Sequence, residues 1–160
     1  MPISQEVLEQ LGISEETLAN IMIAEMRTIF RDLVGIDNAF RAPVLADPID
    51  SFTKNVTAIV GLAGSNSGLL RLHLPEKMAL DIASGMLKTY HATVDSDVLD
   101  AIGELVNVMA GSFKLHLTNH GNQIGLSLPS TFAGNEYYFT SKAVNDSTAC
   151  LLYTSPSPRD

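Results

Sequence analysis

The chain has 160 residues, 46% of them apolar, and a formal net charge of −8. That is one domain's length, with enough apolar side chains for a packed core that needs neither disulfides nor a structural metal. The acidity argues against a nucleic-acid binder, which carries a basic patch, and against adsorption to an anionic membrane. No apolar run approaches the roughly 20 residues of a membrane span. The N-terminus lacks the basic-then-apolar layout of a signal peptide, so the expected compartment is the cytoplasm. Cys150 is the single cysteine, which leaves no internal disulfide and no cysteine-based zinc site.

In chain order, Ser4 is placed to cap a short helical turn from Gln5 to Leu11, which Gly12 ends. Ser14 is a good N-cap for a longer helix over Glu15 to Val34. Leu18, Met22, Met26, Ile29, Phe30 and Leu33 recur at helical spacing as its core stripe, and Gly35 supplies the stop. Residues 37–54 hold two prolines and several aspartates and predict a loop, with one short strand near Arg41 to Ala46. Asn55 to Ala63 is rich in β-branched residues, and Leu69 to Leu74 returns after the turn cluster of residues 64–68, which predicts a β-hairpin. Those glycines serve turn geometry: no P-loop lysine follows and no helix starts behind them.

Pro75 suits the first position of a helix reaching Leu87, with Met78, Ile82 and Met86 on its apolar face. Asp95 or Ser96 caps a third long helix to about Leu117, and Gly121 closes that region. Gln123 to Leu128 alternates as a strand, Pro129 interrupts, and Glu136 to Lys142 reads as another. Tyr137, Tyr138 and Phe139 are expected to alternate across that strand. Helix, hairpin, helices, strands without βαβ alternation predicts an α+β fold, an antiparallel sheet with helices packed on it. Residues 150–160, with the run Ser155-Pro156-Ser157-Pro158, continue no pattern and resemble translated sequencing-adapter read-through. The expectation is therefore one domain over residues 1–149, truncated at its C-terminus, followed by a non-native tail over 150–160.

The chemistry concentrates on the third long helix. At about 100° per residue, Val98, Ile102, Leu105, Val106, Met109 and Phe113 gather on one face as core. Asp100, Glu104, Asn107 and Gly111 gather on the opposite face, and residues three and four apart are neighbours there. Glu104 and Asn107 can therefore touch one partner together. Gly103 and Gly111 each cost roughly 1 kcal/mol of helix propensity relative to alanine. A face that breaks local propensity has either a functional reason or a packing reason, such as the close approach of another backbone.

The spacing Asp100-x3-Glu104-x2-Asn107-x3-Gly111 resembles the active-site signature of the CheC/CheX chemotaxis phosphatase family. The resemblance extends to the hairpin around Ile59 to Gly64 and Gly68 to Leu72, and to the helix containing Leu80 to Leu87, and covers roughly Ile21 to Ala149. With one Glu-x2-Asn, the chain is more similar to the single-site CheX-like branch, which tends to dimerise.

The resemblance implies a protein phosphatase of two-component signalling that removes the phosphoryl group from a CheY-type response regulator. Asn107 would orient the attacking water and Glu104 would pair with the partner's active-site lysine. Asp100 and Gly111 would support the site's geometry and give the partner clearance. It further implies a phosphorylated CheY-like response regulator and a second copy of the chain as partners. No cofactor of the chain's own is implied, and magnesium is expected on the response regulator. The alternative is a non-catalytic module that binds a response regulator, or a dimerisation domain. His116 and His120 stand four apart, but without a third ligand they fit a helix C-terminus better than a metal site. Ser65, Ser67 and Ser84 lack partners for a hydrolytic triad.

Overall fold

The structure is a computed structural model that describes residues 5–36, 41–46, 51–64, 67–118, 123–139 and 149–153. Ser4, His120, Gly121, the turn residues Ser65 and Asn66, and the tail from residue 154 onward lie outside these.

The chain begins with α1 (Gln5–Leu11) and α2 (Glu15–Ile29). Ser14 caps α2 as its residue type predicts: its hydroxyl accepts the Thr17 N–H at 3.1 Å. The expected helix to Val34 is continuous in direction but not in winding. Residues Phe30–Val34 form one π-helical turn, which ends on Gly35 at φ 80°. The looser turn buries both Phe30 and Val34, and the glycine satisfies the last carbonyls in a left-handed conformation that a side chain would resist.

Strand β1 (Arg41–Ala46) falls where the sequence places it and pairs antiparallel with β6 (Ala149–Tyr153) as a two-stranded ribbon. Cys150 to Tyr153, the first residues of the expected tail, therefore form part of a strand.

The main sheet is built on β2 (Ser51–Gly64), with β3 (Gly68–Pro75) along one edge. Strand β4 (Ile124–Leu126) and strand β5 (Ser130–Tyr138) share the other edge. Two strand boundaries differ from expectation. Strand β2 starts at Ser51 rather than Asn55, because Ser51 to Thr53 pair with Tyr138 to Glu136. Lys54 lies inside it at φ 45°, a bend that reads as loop in the sequence. Strand β5 starts directly after Pro129 rather than at Glu136. Ala133, Gly134 and Asn135 within its first six residues are poor strand formers, and the pairing of Ser130 to Gly134 with β2 holds this part in the sheet.

Helices α3 (Glu76–Leu87) and α4 (Ser96–Leu117) follow the hairpin, with Pro75 as the N-cap of α3 rather than its first residue. Val56, Ala58 and Val60 of β2 and Leu72 and Leu74 of β3 point to the helices and close one core with Ile82, Ile102, Leu105, Val106, Met109 and Phe113. Thr57 points the other way, by the two-residue period of a strand, yet is fully buried under aromatic rings. Its hydroxyl is shared between His73 Nδ1 at 2.7 Å and Tyr137 Oη at 2.5 Å. Phe52 stacks on His73 with centroids 4.0 Å apart, and Phe132 meets Tyr137 edge-on. This small second cluster gives the sheet's outer face a cover of its own. Among the described residues no helix is long and apolar enough to cross a membrane.

Candidate functional site

Helix α4 lies across the sheet and carries the site. Its start is fixed by Asp95, whose Oδ1 accepts the Val98 N–H at 3.0 Å. That backbone hydrogen bond, with His91 beside it, holds the Asp95 carboxyl below the usual carboxylate range despite the opposing cost of burial. The core face is as the periodicity predicts: Val98, Ile102, Leu105, Val106, Met109 and Phe113 are all buried.

On the opposite face Asp100 and Glu104 are exposed, and Asn107 and Gly111 are half-buried. Glu104 and Asn107 are three apart, so the helix aims both into the same solvent-facing space. Among the described residues neither makes a hydrogen bond or ion pair within the chain. A carboxylate and a carboxamide held side by side on a rigid helix offer acceptor oxygens and one NH2 donor group to whatever docks there. These two side chains do not form a metal site with their neighbours, and the described residues contain no metal-binding cluster.

The two glycines of this helix have different tasks. Gly103 is buried, and a Cβ built there would stand 2.9 Å from Thr131 Oγ1 and 3.9 Å from Pro129. Its absent side chain seats the β4–β5 connection against the helix, a packing role. Gly111 has open space where a Cβ would go.

A further polar contact braces α4 from the side. Glu25 of α2 accepts a hydrogen bond from Ser112 Oγ at 2.5 Å and lies 3.2 Å from His116 Nε2. These contacts, Ser112 first, hold the Glu25 carboxyl below its ordinary value, with burial opposing them. The sequence signals none of this, because the partners are 87 and 91 residues apart. It also accounts for His116, which faces a carboxylate on the neighbouring helix. His120 lies outside the described residues.

An antiparallel sheet crossed by a helix that carries an acidic and an amide side chain on its outer face has the architecture of a CheC/CheX-like domain, and comparison with known proteins agrees. A crystal structure of the chemotaxis protein CheX from Desulfovibrio desulfuricans superposes with a TM-score of 0.65 at 19% identity, covering 82% of this chain and 94% of that one. The CheX chain of a CheX–CheY–BeF3–Mg complex from Borrelia burgdorferi superposes with a TM-score of 0.62 at 24% identity, covering 72% and 76%. In sequence, the CheY-P phosphatase CheX of Thermotoga maritima is 25% identical over 120 residues, 74% of this chain and 77% of that protein. The family described as chemotaxis phosphatase CheX matches residues 56–152, more than half of the chain. This chain belongs to that CheX family.

Proposed function

We propose that this protein dephosphorylates a CheY-type response regulator by presenting Glu104 and Asn107 to the regulator's phosphorylated aspartate. One observation carries the reading. The two residues project together from an exposed helical face and are left unpaired by the rest of the described chain. Family membership supports it, as do the relatives: one is a CheY-P phosphatase, and another is seen in complex with CheY.

The reaction needs little covalent help from the protein. An aspartyl phosphate is a mixed anhydride. Water attacks phosphorus and the new P–O bond forms. The bond between phosphorus and the aspartyl oxygen breaks, and its electron pair stays on the restored carboxylate. Inorganic phosphate leaves, and the proton lost from the water passes to solvent. Positioning and electrostatics supply most of the acceleration in such phosphoryl transfers. Asn107 suits the positioning: its carbonyl oxygen accepts from the water while its NH2 donates to a phosphoryl oxygen. Glu104 pairs with the regulator's lysine and fixes the helix in register. Asp100 adds negative charge on the same face, and Gly111 leaves clearance for the approaching backbone. Magnesium belongs to the regulator's own acidic site and neutralises phosphoryl charge there. The working unit on this reading is a cytoplasmic homodimer.

The test is phosphate release from a phosphorylated CheY-type receiver, with and without this protein. Asn107→Ala is expected to abolish the stimulated release while binding of the beryllofluoride-charged receiver persists. Full activity in Asn107→Ala overturns the mechanism. Binding without any stimulated release by the wild-type chain indicates a non-catalytic module instead.

A further inference from the structure

Two leucines border the polar stripe of α4, and their surroundings are unlike those of ordinary surface leucines. Leu128 is 88% exposed and Leu115 is 70% exposed. Single exposed leucines are common and need no explanation. Leu128, however, is held out by a built device.

Strand β2 runs unbroken past this edge, yet Leu62 faces Leu126 while Ile59 faces Ser130. The edge chain thus carries one more residue than β2 over this stretch, a β-bulge just before Pro129. Ser127 locks the bulge. Its backbone N–H donates to the Gly61 carbonyl at 2.9 Å, its hydroxyl accepts the Gly61 N–H at 2.8 Å, and the same hydroxyl donates to the Leu128 carbonyl at 2.9 Å. Pro129 then rests against Gly103, the residue before Glu104, where the lack of a Cβ lets it come close. Leu128, the residue before Pro129, therefore emerges on the side of α4 where Gly103 precedes Glu104. Leu115 stands one helical turn beyond Gly111 and two beyond Asn107, on the same stripe. Together they flank the pair from the side and from the C-terminal end.

We infer that Leu128 and Leu115 are apolar anchors that seat the phosphorylated receiver domain over Glu104 and Asn107. The inference rests on the proposed function, and this occupant is favoured because Leu128 precedes the Pro129 that lies against Gly103, next to Glu104, while Leu115 continues the Asn107–Gly111 stripe. The backbone at residue 128 is already held by Ser127, so no loop has to be ordered on binding, and an apolar side chain desolvated beside a polar centre adds affinity without touching the reacting atoms. The two jobs are then divided: the polar pair acts on the reacting centre, and the leucines hold the partner there.

The experiment compares Leu128→Ser, Leu115→Ser, the double variant and Asn107→Ala, each checked for folding by circular dichroism. Steady-state dephosphorylation of a receiver charged with acetyl phosphate gives KM and kcat, and the beryllofluoride-charged receiver gives Kd. Each leucine variant is expected to raise KM and Kd about tenfold, or about 1.4 kcal/mol, with kcat within about twofold of wild type. Asn107→Ala is expected to do the reverse. Unchanged KM and Kd in both leucine variants overturn the inference while Asn107→Ala still tests the mechanism separately. Conversion of a dimer to a monomer by Leu128→Ser, seen by sedimentation at unchanged Kd, also overturns it and assigns the corner to self-association. If Asn107→Ala matches wild type in kcat, the functional reading fails and the anchors fail with it.

Discussion

Gly103 of α4 and Thr131 of β5 meet with no room for a side chain between them: a Cβ at 103 would lie 2.9 Å from Thr131 Oγ1. Gly111, eight residues on in the same helix, would add its Cβ into open space. The same residue type on one helix thus predicts opposite responses. Gly103→Val forces a stiff β-branched side chain into the helix–strand contact and is expected to cost about 2–3 kcal/mol. Gly111→Ala relieves a helix-interior glycine and is expected to gain up to about 1 kcal/mol. Urea unfolding of both variants measures this through the midpoint at constant m. On the proposed function, Gly111→Ala also narrows the partner's clearance, so its gain in stability should come with slower dephosphorylation.

Glu104 and Asn107 predict a split in kinetics rather than equal losses. Asn107 is assigned to the water, so Asn107→Ala should lower kcat by about 100-fold or more, the scale of lost positioning. Glu104 is assigned to the partner's lysine, so Glu104→Ala should raise KM and lower kcat together. Glu104→Gln keeps the shape and loses the charge. It should fall between wild type and alanine, and its KM should depend less on salt than the wild-type KM. A salt dependence identical to wild type would remove the ion pair from the mechanism.

Those two residues were legible in the sequence because a helix of strong periodicity converts spacing directly into direction. With Val98, Ile102, Leu105 and Phe113 fixing the inward face, Glu104 and Asn107 had to point out. The hairpin was legible for a similar reason, its β-branched runs bracketing a glycine-rich turn. The strand Ser130–Tyr138 was not, since Gly134 and Asn135 look like a turn and the segment is held in the sheet by the pairing of Gly134 and Glu136, on either side of Asn135, with β2. The π-turn at Phe30–Val34 was invisible because it preserves the apolar spacing while changing the winding. Gly103 could be flagged as anomalous, but whether a partner or its own strand lay against it was a question of tertiary contact. The Glu25 brace and the Ser127 lock depend on residues far apart in sequence, where local pattern carries no information.

His73 sets a pH dependence of stability. Burial beneath Phe52 and beside Thr57, with the Arg71 charge adding to it, pushes its pKa down from 6.5 to about 4. The unfolded chain takes up this proton near pH 6.5, and the folded chain does not until about pH 4. Stability from this group is therefore complete above pH 6.5, falls as pH drops toward 4, and levels off below. Allowing for solvent screening, the loss is on the order of 2 kcal/mol. Unfolding free energies measured from pH 7.5 to 4 should show this slope, and His73→Gln should flatten it. An equal slope in the variant would place the pH dependence elsewhere.

Glu25 governs a different limb. Its carboxyl is held low chiefly by the Ser112 hydrogen bond and next by His116, so its contribution is present above the ordinary carboxylate pKa and is lost as pH falls through the depressed folded value. The side chain is 36% exposed, so solvent screens the contact and Glu25→Ala should cost only about 0.5–1 kcal/mol at neutral pH. The wild-type advantage over Glu25→Ala should shrink toward acid, below about pH 4. A double-mutant cycle with Ser112→Ala isolates the pair itself, with an expected coupling of about 0.5 kcal/mol or more. Because Ser112 follows Gly111 directly and His116 follows Leu115, loosening this brace frees the part of α4 that carries the Leu115 anchor. Glu25→Ala should therefore raise KM for the receiver modestly and leave kcat, which depends on Asn107 one and a half turns earlier, close to wild type. A loss confined to kcat would show instead that the brace acts on the catalytic turn.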